Sequence, residues 1–357
     1  ISGIAVCALG HRHPRFTRTL AGQADRLVHT SNLYGVPLQR QLAARLAAAS
    51  GMENVFFCNS GAEANEAAIK LARMYGHQRD IQVPAIIVME GAFHGRTMGA
   101  LTATHNHRHQ AGFGPLLEGF VRVPFDDVKA VEAAVRSNPD IVAVLLEPIQ
   151  GEGGVRTCQD TYLQELRNIC QRHDLLLMLD EVQTGNGRTG LHYAFQHAGI
   201  LPDVLTTAKG LGNGFPIGAC MARNKAAAVF KPGHHATTFG GSPLACAAAL
   251  AVLDAIEEES LLENTRTMGA YLLQGFRKAL AGCTQVVALR GSGLMIGIEL
   301  ATPCGELVDA ARQRGVLINI AAGNVVRLLP PLILKQDEAD IIVTEVSAVI
   351  REFCHGN

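Results

Sequence analysis

The chain has 357 residues, enough for about two domains and a sizeable buried core. Charged residues make up 18% and the formal net charge is −1, so no broad basic surface for nucleic acid is implied. No apolar run is long enough to span a bilayer. Nine cysteines, an odd number without a CxxC pair, fit free thiols in a reducing cytoplasm.

Residues 1–9 are apolar and read as a strand, followed by the turn Gly10-His11-Arg12-His13-Pro14. His11 and His13 lack a third ligand nearby, so a turn is read there and no metal site is expected. Helices are predicted over 19–28 and 37–49, the second closed by Gly51. Tyr34, just ahead of it, suits either a substrate mouth or ordinary packing. A strand over 55–58 runs into Asn59-Ser60-Gly61-Ala62-Glu63, where Ser60 and Glu63 have the spacing of a capping box. Ala64, Ala67, Ala68, Leu71 and Tyr75 then share one face of a helix. A strand, a tight turn and a helix N-terminus can seat a phosphate, though an ordinary capped helix has the same signature.

A buried strand over 86–89 leads to Gly91-Ala92-Phe93-His94-Gly95-Arg96. Phe93 suits stacking on a flat ring or a place in the core, and Arg96 suits a carboxylate grip or a surface ion pair. A strand over 120–124, a helix over 126–137 and a strand over 141–146 follow, ending at Glu147 and Glu152 in a glycine-rich loop. After a helix over 162–173, residues 175–179 form an unbroken apolar run, the pattern of a strand buried on both faces. That run ends in Asp180, Glu181, Val182 and Gln183. A second short strand, over 203–207, ends at Lys209 and the loop GLGNGFP, and another strand is predicted over 217–221.

Ligands of open α/β sheets bind outside the carboxyl ends of the strands. Asp180 and Lys209 are therefore expected on two strand ends facing one crevice. A lysine amine can condense with an aldehyde cofactor, and pyridoxal phosphate is the aldehyde that also calls for a carboxylate at its ring nitrogen. Singly, an Asp here would more often cap a helix and a Lys would more often be solvated. Side by side, with a glutamine and a glycine loop, they favour the cofactor.

The motifs DEVQTGNGRTG (180–190) and TTAKGLGNGFPIGA (206–219), with NSGAEANEAA (59–68), resemble the class III (subgroup II) pyridoxal-phosphate aminotransferases. The resemblance runs from GIAVCALGHRHP near the start to VVRLLPPL near the end, and is strongest to the acetylornithine-specific branch. It implies the type I fold of these enzymes: a large domain with a mostly parallel, seven-stranded type of sheet and a smaller C-terminal α+β domain. The expected division is an N-terminal segment over 1–20, a large domain over 21–258 and a small one over 259–357. It also implies further residues ahead of Ile1.

By resemblance, Lys209 holds the cofactor and moves the proton, and Asp180 pairs with the ring nitrogen. Gln183 meets the ring hydroxyl, Val182 and Phe93 sandwich the ring, and Ser60, Gly61 and Ala62 seat the phosphate. Thr238 is expected to reach the phosphate of a partner subunit, which makes the enzyme a homodimer. Tyr34, Arg96, Glu152 and Arg327 are the expected substrate contacts. Arg96 takes the α-carboxylate of an acetylated amino acid. Arg327 takes that of glutamate or 2-oxoglutarate, and Glu152 covers Arg327 in between. Ile4 stands where ornithine δ-aminotransferases place a tyrosine for free ornithine, which argues against that substrate. The expected reaction moves the δ-amino group of N2-acetylornithine to 2-oxoglutarate, in the cytoplasm, for arginine biosynthesis. Succinylornithine, succinyl-diaminopimelate and 4-aminobutyrate are alternative donors; an aminomutase and a non-catalytic cofactor-binding protein are the other readings.

Overall fold

Short, continuous runs of β-branched and aliphatic residues make the strands, and alanine-rich helices cover them. The structure, a computed structural model, describes residues 1–356. In chain order, β1 (Asn54–Cys58), β2 (Ala85–Met89), β3 (Phe120–Val123) and β4 (Ile141–Leu146) enter the main sheet. A small hairpin follows, β5 (Ile149–Gln150) with β6 (Arg156–Thr157). The sheet is completed by β7 (Leu176–Asp180), β8 (Val204–Thr207) and β9 (Gly218–Ala222), in the order β1-β9-β8-β7-β4-β2-β3. Its central pairings are parallel; only β9 runs against its neighbours.

Alternation along β2 and β7 explains why these strands look uniformly apolar. Ile87, Met89, Leu177 and Leu179 enter one core, while Ile86, Val88, Leu176 and Met178 enter another on the opposite face. The parallel arrangement puts the carboxyl ends of β2, β4, β7 and β8 on one edge. Glu147 directly follows β4, Asp180 is the last residue of β7, and Lys209 lies two residues beyond β8.

Later in the chain, β10 (Val286–Ser292), β11 (Met295–Leu300), β12 (Asn319–Ala321) and β13 (Val325–Leu328) form an antiparallel sheet in the order β10-β11-β13-β12. Its core includes Ile296, Ile298, Val326 and Leu328, together with Leu272 and Phe276 of the helix Leu261–Ala279. The mostly parallel α/β sheet with this smaller sheet beside it is the predicted fold class.

The helix Pro37–Ser50 ends as predicted, with Gly51 at φ 72°, a left-handed stop that suits glycine. The predicted strand over 1–9 is a correction. Ser2–Ala5 is a helical turn containing left-handed residues, and Ala8 and Leu9 pack into the core of the second sheet. Ala5, Ala8 and Leu9 are apolar and buried, and burial does not require a strand partner. The helix predicted over 19–28 is instead Pro14–Ala24, set by the proline in its first turn.

Candidate active site

The carboxyl edge of the main sheet opens into a cavity of about 390 Å³. Among its lining residues are Ser60, Gly61, Ala62, Phe93, Arg96, Asp180, Val182, Gln183 and Lys209, all predicted site residues. They come from four separate connections of the main sheet, after β1, β2, β7 and β8, so the fold assembles them from sequence positions far apart.

At one wall the helix Gly61–His77 starts from Ser60, whose side chain accepts from the N–H of Glu63. Glu63 reaches back to the N–H of Asn59 (2.8 Å), one residue earlier than a capping box requires. The N–H groups of Gly61 and Ala62 are the orphan donors of this helix start and border the cavity. A Cβ on Gly61 would lie 2.6 Å from Val182, so the turn reaches the cavity wall only as glycine. This wall is a small, electropositive cradle suited to a phosphate.

At the floor, Asp180 is buried at the end of β7, and its β8 partner in register is Thr206. Its Oδ2 accepts from Asn65 Nδ2 and from His94 Nδ1, each at 2.7 Å. Oδ1 accepts from the Val182 N–H at 3.0 Å. Thr206 Oγ1 donates to Asn65 Oδ1 (2.7 Å), fixing that amide. Glu147, also buried, accepts from the N–H groups of Phe93 and Gly151. Its carboxyl is pushed up in pKa by burial, against the pull of His94.

Lys209 follows β8 at φ 45°, an uncommon conformation for a non-glycine residue, which costs about 1–3 kcal/mol. Burial, with the charge of Arg327 second, lowers its amine pKa. A greater share of this lysine is therefore a neutral nucleophile near pH 7 than of an exposed one.

Arg327 lies on β13 with its side chain fully buried. Its Nη1 pairs with Glu152 Oε1 (2.8 Å) and donates to Gln183 Oε1 (3.3 Å), and its Nε donates to Asn319 Oδ1 (3.2 Å). Nη2 is buried without a partner among the described residues. Gln183 therefore joins the cavity to Arg327, and Glu152 caps the guanidinium. Arg96 is exposed at the cavity and stacks its guanidinium on Phe93, 5.7 Å from the ring centroid.

Tyr34 and Thr238 do not line this cavity; both are exposed, Tyr34 to 70%. Their loops are nevertheless tied together. Asn32 Nδ2 donates to Gly240 O (3.1 Å), and Gln39 Nε2 donates to Asn32 Oδ1 and Gly241 O. Asn59 of the cavity wall donates to Thr237 Oγ1 (3.1 Å), so Thr238 sits one residue from a wall contact. The histidines find ordinary partners: His13 with Glu259, and His235 with Lys70 and the Phe56 ring.

Sequence reasoning did not single out Asn65, His94 or Thr206. The one available signal is Asn65, a polar residue on a helix face otherwise lined by alanines.

An aldehyde with a phosphate arm and a basic ring nitrogen fits this donor set. The amine of Lys209, the carboxylate of Asp180 and the cradle at Ser60–Ala62 all border one cavity. The family model for class-III aminotransferases matches residues 1–350. Acetylornithine aminotransferase of Nitrosomonas europaea is 58% identical over 353 residues, 99% of this chain and 90% of that protein. The solved ornithine aminotransferase from Toxoplasma gondii ME49 superposes with a TM-score of 0.96 at 33% identity, covering 100% of this chain and 86% of that one. N-acetylornithine aminotransferase from Stenotrophomonas maltophilia K279a gives a TM-score of 0.87 at 36% identity, covering 100% of this chain and 91% of that one. With the fold, the cavity and these likenesses in agreement, the chain belongs to the class-III aminotransferases.

Proposed function

We propose that the protein transfers the δ-amino group of N2-acetylornithine to 2-oxoglutarate with pyridoxal 5′-phosphate as cofactor, giving N-acetylglutamate 5-semialdehyde and glutamate. The observation that carries this reading is the 58% identity, over 99% of the chain, to a protein named acetylornithine aminotransferase. The pairing of the buried Arg327 with the partly exposed Glu152 beside the cavity is the geometry that accords with it.

Ser60, Gly61 and Ala62 would hold the phosphate, Phe93 and Val182 the two ring faces, Gln183 the ring hydroxyl and Asp180 the ring nitrogen. Bound there, the cofactor supplies an electron-withdrawing pyridinium ring. Lys209 anchors it. Its Nζ would also move the proton at the donor carbon as base and acid, which its lowered pKa favours. Arg96, at the cavity and without an ion-pair partner among the described residues, takes the α-carboxylate of the acetylated donor. Glu152 neutralises Arg327 while that donor is bound. When Glu152 swings away, Nη1 joins the unpartnered Nη2 to grip the carboxylate of 2-oxoglutarate bidentately.

The exposed Tyr34 and Thr238 loops support a homodimer in which each subunit's Thr238 completes the partner's phosphate site. We also assign residues 21–258 and 259–357 to a large and a small domain preceded by the segment 1–20, and place the enzyme in the cytoplasm, serving arginine biosynthesis.

The Toxoplasma gondii likeness favours free ornithine as a second reading. Ile4 opposes it, because its side chain has no hydroxyl to hold a free amine. Glutamate formation from 2-oxoglutarate tests the choice. We expect kcat/KM for N2-acetylornithine to exceed those for ornithine and 4-aminobutyrate at least tenfold, and a preference for either of the latter moves the substrate.

A further inference from the structure

The reaction proposed above uses Asp180 but none of the groups behind it. Oδ2 is saturated by Asn65 and His94, while Oδ1 has only the Val182 N–H, so the spare acceptor capacity of this carboxylate lies on Oδ1. Because a carboxylate offers no proton, Nδ1 of His94 must be the donor. His94 is fully buried, and its Nε2 has no partner among the described residues. Its one side-chain hydrogen bond is thus spent on Asp180.

We propose that His94, seconded by Asn65, is a positioning residue. It orients the Asp180 carboxylate and thereby sets the affinity and protonation of the pyridine-type ring held in front. This rests on the cofactor reading above.

The charged groups facing His94 are Asp180 at the end of β7, Glu147 after β4 and Arg122 on β3. Burial pushes the imidazole pKa down, but the hydrogen bond and charge of Asp180, with Glu147, outweigh it and leave the pKa raised. Arg122 acts in the opposite direction. His94 accordingly stays cationic to a higher pH than a free imidazole. A cation at that position disfavours protonation of anything nearby, so its removal should make the bound cofactor easier to protonate.

Orientation and charge can be separated. In His94→Asn a neutral donor replaces the imidazole, while His94→Ala has neither donor nor charge. The readouts are pyridoxal phosphate affinity, by fluorescence titration of apoenzyme, and the pH midpoint of the visible absorption band of the bound cofactor. Wild-type protein serves as control, and circular dichroism monitors folding. We expect His94→Ala to weaken binding about tenfold or more, the loss of one charge-assisted hydrogen bond. His94→Asn should stay within about threefold of wild type, because it keeps a neutral donor. Both should move the midpoint upward by about half a pH unit or more. Folded His94→Ala with wild-type affinity and midpoint overturns the inference and leaves the cofactor reading intact. Wild-type protein that binds no pyridoxal phosphate overturns both. If His94→Ala does not fold, His94→Asn decides: an unmoved midpoint refutes the electrostatic role, and a raised midpoint with near-wild-type affinity supports it.

Discussion

At the floor of the cavity Asn65, His94, Glu147, Asp180 and Thr206 are buried and hydrogen-bonded within one chain, whereas at its mouth Arg96 is exposed and Tyr34 and Thr238 stand outside the cavity. The floor is over-determined. Asn65, His94, Asp180 and Thr206, from different elements, bond to one another, and Glu147 accepts from two backbone N–H groups, the kind of pairing that a low-dielectric interior favours. The mouth is built of exposed loops, tied to one another by a few hydrogen bonds, and of the solvated Arg96, the kind of surface that rearranges for different substrates or is finished by another subunit. The contrast matches the two tasks of a transaminase, with one set of bonds to make and break and two unlike substrates to admit.

The sharpest break of this comparison is at the floor. Lys209→Ala should lower turnover by about a thousandfold or more, since both the anchoring amine and the proton carrier are lost. Activity near wild type would refute the assignment of the floor as the reacting region. Between floor and mouth, Arg327→Ala should raise KM for 2-oxoglutarate about tenfold to a hundredfold, the worth of charged hydrogen bonds. KM for N2-acetylornithine should change little. Equal effects on the two substrates would mean that Arg327 and Arg96 do not divide them. Arg96→Ala should show the reverse pattern, with a smaller rise of about tenfold for N2-acetylornithine because the side chain is solvated. The smallest effect is expected at the mouth. Thr238→Ala should weaken pyridoxal phosphate binding by several-fold, about 1 kcal/mol for one neutral hydrogen bond. Mixed dimers of Thr238→Ala and Lys209→Ala subunits should bind pyridoxal phosphate at their Lys209-bearing site with wild-type affinity if Thr238 acts across the interface, and with the weakened affinity of Thr238→Ala protein if it acts within its own subunit.

The floor and the mouth also differ in how legible they are in the sequence. The strands β4 and β7 announce themselves as continuous aliphatic runs, and the helix Pro37–Ser50 begins at its proline and stops at Gly51 as predicted. Asp180 and Lys209 are readable because each stands at or just beyond the carboxyl end of a short strand. Arg327 is readable as a charge among apolar neighbours, and the structure gives it the partner that desolvation demands. His94 and Thr206 are not, because their role depends on contacts across the sheet, between residues 86 and 141 positions from their partners. The apolar stretch over 1–9 misleads for a related reason. Ala8 and Leu9 are buried by tertiary contact with the second sheet's core, and periodicity cannot separate that from strand pairing.

The most direct test of the central claim is the visible absorption spectrum of the protein loaded with pyridoxal phosphate. On this account the band bleaches when N2-acetylornithine is added, returns with 2-oxoglutarate, and responds far less to ornithine. A band indifferent to N2-acetylornithine at saturating concentration would contradict the proposed reaction.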